Sequence, residues 1–235
     1  MSTTIVNKLD EVLKSNFDDI LAQFNNAKND IDFLPYKDGR QEGEWNVFGL
    51  KSIWGHWSKT SKIKFPTIRN IFENYMPEAV NLSISCLGPH STTGWHTGIP
   101  TKSGMYKLAN KGIWDWSLDC DPDYLHIPLT RGKHYAYKMH LGLQIPSDEF
   151  GLGLETESHI YRWKEKETFV FKDWELHRAW NRTDEERYVL FWDIPKEFFE
   201  TALSSAGLEQ QPSKLWVVGS SPTGQANSSP VSSTG

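Results

Sequence analysis

Apolar residues recur at helical spacing along the start of the chain: Ile5, Leu9, Val12, Leu13, Ile20, Leu21 and Phe24, with Asp, Glu, Lys and Asn between them. Such a stripe predicts one amphipathic helix over residues 5–24, packed by its apolar face on another element. Residues 30–60, rich in Gly and Trp, read as loops and short strands. A second short helix is expected from about Ile68 to Met76, ending near Pro77.

From about residue 79 the period changes to two. Val80, Leu82, Ile84 and Cys86 alternate with Asn81, Ser83 and Ser85, so one strand face is apolar and the other polar. Tyr137, Met139, Leu141, Leu143 and Ile145 alternate with Lys138, His140, Gly142 and Gln144 in the same way. Short strands are expected near 158–163 and 168–172, and a longer one over 186–194. The last places Arg187, Val189, Phe191 and Asp193 on one side and Tyr188, Leu190, Trp192 and Ile194 on the other. Several short strands with turn signals and little helix between them predict a mainly β sandwich or barrel with flanking helices.

Four regions follow. Residues 1–78 are a helical and loop region packing on the core, and 79–195 are the core itself, with an insertion over 99–134. Residues 196–218 are a C-terminal helix and extension. The Ser-, Gly- and Pro-rich stretch 219–235 is expected to be disordered. The insertion carries Asp115, Asp119, Asp121 and Asp123 among Gly, Pro and aromatic residues, and its length without periodicity suits a functional lid.

Composition narrows the function classes. A net charge of −5 and a pI near 5.9 offer no basic footprint for nucleic acid. No apolar run is long enough to span a bilayer, and Met1 to Val6 lack the features of a secretory signal, so a cytoplasmic location is expected. Cys86 and Cys120 are then expected as thiols. Eleven tryptophans in 235 residues suit an aromatic-walled pocket as well as a core.

Eight histidines are present, and any one of them is more often a surface or hydrogen-bonded residue than a ligand. Two stand out by setting. His96 lies in Gly94-Trp95-His96-Thr97-Gly98, just after a strand with a polar face, and His177 follows a strand and a tight polar turn. Arg187 opens the final strand ten residues later. Neutral imidazole suits Fe(II), whose usual oxygenase site is two histidines and a carboxylate. An arginine on a neighbouring strand can grip a dicarboxylate through a two-pronged hydrogen bond.

Three segments make the pattern specific: Pro89 to Gly98, Tyr137-Lys138-Met139-His140-Leu141-Gly142-Leu143-Gln144-Ile145-Pro146, and Phe169 to Arg187 with His177-Arg178-Ala179-Trp180-Asn181. Over roughly residues 79–195 they resemble the aspartyl/asparaginyl β-hydroxylase family. The resemblance implies a double-stranded β-helix (jelly-roll) dioxygenase using Fe(II), 2-oxoglutarate and O₂. His96 and His177 would be the iron ligands and Arg187 the partner of the distal carboxylate of 2-oxoglutarate. His140 and Ser85, with Lys138 where the family commonly has Arg, would line the cosubstrate pocket. The expected reaction is hydroxylation of an unactivated carbon in an amino acid, peptidyl Asp/Asn or related small molecule, giving succinate and CO₂. A lipid substrate is less favoured, since no membrane span is present.

Gly98 stands where many iron dioxygenases have a metal-binding Asp or Glu, so this motif brings no carboxylate. Water, a halide or one of the insertion aspartates would complete the shell, and halide would make the enzyme a halogenase. A non-catalytic jelly-roll binding module is the alternative outside enzymology. Trp180 and Asn181 are expected to buttress the ligand loop, and Trp95 to do the same or to wall the pocket.

Overall fold

The computed structural model describes residues 5–36, 41–96, 136–148, 150–196 and 198–199. The first amphipathic segment forms two helices rather than one: α1 (Ile5–Ser15) and α2 (Phe17–Ala27). Local side chains cause the break. Ser15 Oγ donates to Glu11 O (2.6 Å) and Asn16 Nδ2 to Val12 O (2.8 Å), so both compete with the backbone for helical carbonyls.

Strands β1 (Leu34–Pro35) and β2 (Trp45–Lys51) then precede two further helices, α3 (Lys59–Lys64) and α4 (Pro66–Tyr75). Helix α3 had no counterpart in the hydrophobic pattern. It starts on a cap, with Ser58 Oγ accepting from Ser61 N at 3.1 Å. Pro66 keeps Phe65 out of helical geometry and sits at the first turn of α4, separating the two.

The strands that follow are β3 (Val80–Leu87), β4 (Ser91–Thr92), β5 (Ala136–Gln144), β6 (Leu152–Thr156), β7 (Ile160–Tyr161), β8 (Thr168–Lys172), β9 (His177–Asn181) and β10 (Arg187–Pro195). They form a six-stranded sheet ordered β1-β2-β3-β10-β5-β8 and a four-stranded sheet ordered β4-β9-β6-β7, with antiparallel neighbours. The two sheets with helices on one side are the expected mainly β, double-stranded β-helix architecture.

Alternation along the large sheet explains both cores. Its apolar face, carrying Leu82, Ile84, Met139, Leu141, Leu190 and Trp192, is covered by Leu9, Leu13, Ile20, Phe24, Ile68 and Phe72 of the helices. These side chains are essentially inaccessible, so the helices remove this face from water, the dominant favourable term in folding. The opposite face looks inward. There Val189, Phe169 and Phe171 pack with Leu152, Leu154, Tyr161, Trp163 and Ala179 from the smaller sheet and the segment after β7. The alternating polar positions are thus buried too: Ser83, Ser85, His140, Arg187 and Asp193 all sit inside.

Gly142, in the centre of the second motif, is required by close approach. A Cβ there would lie 2.2 Å from Lys164 O, where the register of β5 on β10 also shifts. Gly142→Ala is expected to destabilise the fold by about 1–3 kcal/mol, as overpacking against backbone does. Denaturant unfolding checks this, with an unchanged midpoint counting against the close approach.

Candidate active site

The smaller sheet brings the two selected histidines together. Backbone bonds between His96 and His177 run both ways, N to O at 2.9 Å each. Relative to the Thr92–Trp180 pairing this bridge is shifted by one residue, and Gly94 at the shift has φ +68. Such a bulge re-aims the side chains beyond it, and its left-handed backbone favours glycine. The imidazole centroids end 4.3 Å apart.

Both rings are fixed in the same tautomer. His96 Nδ1 lies 3.0 Å from Gly94 O and His177 Nδ1 2.7 Å from Glu175 O. Carbonyls only accept, so each Nδ1 carries a proton, and in the neutral ring the lone pair is then on Nε2, the arrangement metal-binding histidines use. Asp173, directly after β8, is buried and holds Oδ1 3.7 Å from His177 Nε2. That Oδ1 has no hydrogen-bond partner among the described residues. Among the described residues no three His, Cys, Asp or Glu side chains form a metal-holding group, so Asp173 stands beside the pair rather than completing a trio. Gly98 and the insertion aspartates lie outside the described residues, as do Cys120 and the 219–235 tail.

A buried cation faces the interior on the large sheet. Arg187 is 2% exposed, and no carboxylate of the described residues pairs with it. Among the described residues its Nε has no hydrogen-bond partner, its Nη2 reaches Ser85 Oγ only at 3.5 Å, and its guanidinium lies 4.4 Å from the Trp163 ring centre. Burial pulls it down to about 10, so it stays charged at neutral pH. Trp45 Nε1 donates to the same Ser85 Oγ at 3.0 Å, and its ring lies 5.7 Å from His96. Phe171 is edge-on to both His177 (5.0 Å) and His140 (5.4 Å). The histidine pair, Arg187, Ser85 and His140 therefore line one aromatic-walled interior.

Lys138 takes a different place. Its Nζ sits between Asp173 Oδ2 (3.3 Å) and Asp193 Oδ1 (3.1 Å), over the Phe191 ring. Burial lowers its proton affinity, but these two carboxylates outweigh that and leave it raised. Burial also pushes the Asp193 carboxyl up to about 6 against the pull of Lys138. Lys138 thus couples the Asp173 turn to the large sheet.

Trp180 points outward, with the guanidinium carbons of Arg162, Arg178 and Arg182 within 5.2–5.9 Å of its ring. Trp95 is 37% exposed and covers Arg178. Asn181 is the true buttress, fully buried and bonded across the turn that precedes Arg187.

His140 is held neutral. Burial is the largest cause, and Arg187 and Lys138 also keep its proton affinity well below the ordinary histidine value. The sign follows from linkage: below about pH 6.5 an unfolded histidine takes up a proton that folded His140 refuses. Stability should therefore fall as pH drops through that value, with a limiting slope of about 1.4 kcal/mol per pH unit from this group. Unfolding of wild type and His140→Gln at pH 7.5 and 5.5 checks it; an equal drop in both would contradict the assignment.

A model of the aspartyl/asparaginyl β-hydroxylase family matches residues 4–197. The chain belongs to that family. The match extends over the N-terminal helices, beyond the 79–195 range in which the motifs were legible. Among curated proteins, the chain is 36% identical over 72 residues to an ornithine lipid ester-linked acyl 2-hydroxylase from Rhizobium tropici, covering 30% of this chain and 26% of that protein. Among solved structures it is similar to a prolyl hydroxylase from Trichoplax adhaerens, at 9% identity, 80% and 81% coverage of this chain and that one, and a TM-score of 0.48. A 2OG-Fe(II) oxygenase family oxidoreductase from Burkholderia pseudomallei is similar at 12% identity, 74% and 77% coverage and a TM-score of 0.42. The chain spans about a quarter of the length of the curated Rhizobium tropici relative.

Proposed function

We propose that this family member is an Fe(II)- and 2-oxoglutarate-dependent dioxygenase. His96 and His177 would hold the iron, and Arg187, with His140 and Ser85, would receive the distal carboxylate of 2-oxoglutarate. The observation that carries this reading is Arg187: a buried, charged guanidinium with an unpartnered Nε and no carboxylate among the described residues. An uncompensated buried cation is costly, and an anionic ligand that supplies the missing acceptors relieves it. The donor set fits iron as well, because the Nδ1 bonds favour the tautomer whose neutral ring carries its lone pair on Nε2. Bound iron would supply the redox chemistry coupling decarboxylation of 2-oxoglutarate, to succinate and CO₂, with oxygen insertion into a C–H bond.

The protein's own residues then position and exclude. Arg187 and the aromatic walls orient the cosubstrate in a water-poor interior. Lys138 holds Asp173 beside His177, where its unpartnered Oδ1 can accept a hydrogen bond from a water at the site.

The substrate is one with an unactivated sp³ carbon. A fatty acyl ester joins free amino acids, peptidyl Asp/Asn and small molecules as a class to test, on two grounds. The Rhizobium tropici relative acts on an ester-linked acyl group, and Trp95 and Leu176, which directly precede the two histidines, are 37% and 40% exposed. No described helix is long and apolar enough to cross a membrane, but a lipid substrate does not require one.

Purified protein with Fe(II), 2-oxoglutarate and ¹⁸O₂ should make succinate and add one labelled oxygen to an acceptor, read by mass spectrometry across acyl esters, amino acids and Asp/Asn peptides. Identical product with and without chloride separates hydroxylation from halogenation. A protein that takes up no Fe(II) and forms no succinate with any acceptor would support the non-catalytic binding module instead.

A further inference from the structure

Trp163 touches two of the proposed cosubstrate residues at once. It is 3% exposed and lies after β7 on the inner side of the barrel. Its Nε1–H donates to His140 Nδ1 at 3.1 Å, and the Arg187 guanidinium carbon sits 4.4 Å from its ring centre. An indole nitrogen can only donate, so His140 Nδ1 must accept and cannot carry a proton. His140 is neutral, as burial beside Arg187 requires. Its single proton must then be on Nε2. This is the opposite tautomer from that of His96 and His177, whose Nδ1 atoms face carbonyl oxygens.

We infer that Trp163 is a positioning residue that makes His140 a neutral Nε2–H donor to the 2-oxoglutarate carboxylate. The inference rests on the cosubstrate reading above and adds a cause to it. With the proton on Nδ1, His140 would turn the Nε2 lone pair on an anion and repel it. With both nitrogens protonated, Nδ1–H would oppose the indole N–H. Trp163 excludes both states, and its ring face also accommodates the Arg187 cation. The pocket therefore presents a cation and a neutral donor without a second positive charge.

Tautomers are read directly from two-bond ¹H–¹⁵N correlation spectra of histidine-labelled protein, with His140 assigned by its disappearance in His140→Gln. The ligand-free protein should show a pyrrole-type Nε2 and a pyridine-type Nδ1 at His140. In Trp163→Phe, which keeps an aromatic face for Arg187 but has no N–H, the Nδ1–H form should appear. The 2-oxoglutarate KM should rise about tenfold, the worth of one hydrogen bond to a charged group, while kcat changes less than about twofold. Glutamine places an amide donor near the Nε2 position without help from Trp163. In the His140→Gln background, Trp163→Phe should therefore add little to KM.

A pyrrole-type Nδ1 at His140 in the wild type would overturn the inference, whatever the variants do. An unchanged tautomer and KM in folded Trp163→Phe would overturn it as well. The expected tautomer with no response of Nε2 to 2-oxoglutarate added together with diamagnetic Zn(II) in place of iron would instead overturn the cosubstrate reading and leave no acceptor for the donor.

Discussion

Replacing Arg187 with methionine is expected to weaken 2-oxoglutarate binding by about two to three orders of magnitude while leaving the protein as stable as the wild type or more so. The two halves of this result have one cause. Losing one member of a buried, hydrogen-bonded charge pair costs about 2–5 kcal/mol of binding, which sets the size of the effect. Without ligand, however, Arg187 is a buried cation whose Nε has no acceptor among the described residues and whose Nη2 is 3.5 Å from the Ser85 hydroxyl. Methionine fills much of the same volume without desolvating a charge, so the midpoint of unfolding should hold or rise by about 1–2 kcal/mol. Urea unfolding and 2-oxoglutarate titration of the same preparations check both. A structural arginine would give the reverse: a marked loss of stability with little change in cosubstrate binding.

Asn181→Ala should have the opposite profile, losing about 3–5 kcal/mol of stability. Asn181 is fully buried at the end of β9, and the two hydrogens of its Nδ2 are shared among Leu87 O (3.0 Å), Gly88 O (2.9 Å) and Glu185 O (2.7 Å). Its Oδ1 accepts from Thr183 N (3.1 Å) and Thr183 Oγ1 (2.7 Å). One amide thus joins the strand carrying His177 to the end of β3 and to the turn that launches Arg187. Alanine removes the buried donor to Leu87 O and Gly88 O, while Thr183 Oγ1 keeps Glu185 O at 3.1 Å, and each buried group left unsatisfied costs about 1–3 kcal/mol. Aspartate should not restore stability, because an ionised carboxylate has no donor for the three carbonyls. Denaturant unfolding measures both variants, and a loss below about 1 kcal/mol would mean that water or a backbone shift replaces these bonds.

The alternation in β3, β5 and β10 was legible because each strand has one face turned to the helices and one to the interior. Period two alone placed Ser85, Lys138 and His140 on polar sides, and Arg187 on one side of its strand with Val189, Phe191 and Asp193. That those sides are buried was not legible, since a polar strand face reads the same toward water as toward a site. The missed residues owe their places to distant pairings. Trp163 and Trp45 were two among eleven tryptophans, and only the sheet order sets one under Arg187 and His140 and the other between Ser85 and His96. Asp173 lay in a quoted motif, four residues before His177, but its burial and approach to Nε2 depend on the turn between β8 and β9. Lys138 was read as a cosubstrate contact because the partner aspartates on β10 and the Asp173 turn could not be seen from its own strand. The break between α1 and α2 turned on two side-chain bonds, from Ser15 and Asn16, inside an uninterrupted apolar stripe.

The proposed iron site is the pair His96 and His177, sharing its interior with Arg187, the proposed cosubstrate cation. Anaerobic calorimetric titration of the purified chain with Fe(II), followed by 2-oxoglutarate, tests it most directly. One Fe(II) per chain is predicted, lost in both His96→Ala and His177→Ala, with 2-oxoglutarate binding tightly only after iron and failing in Arg187→Met. Iron uptake by the two histidine variants equal to that of the wild type would contradict it.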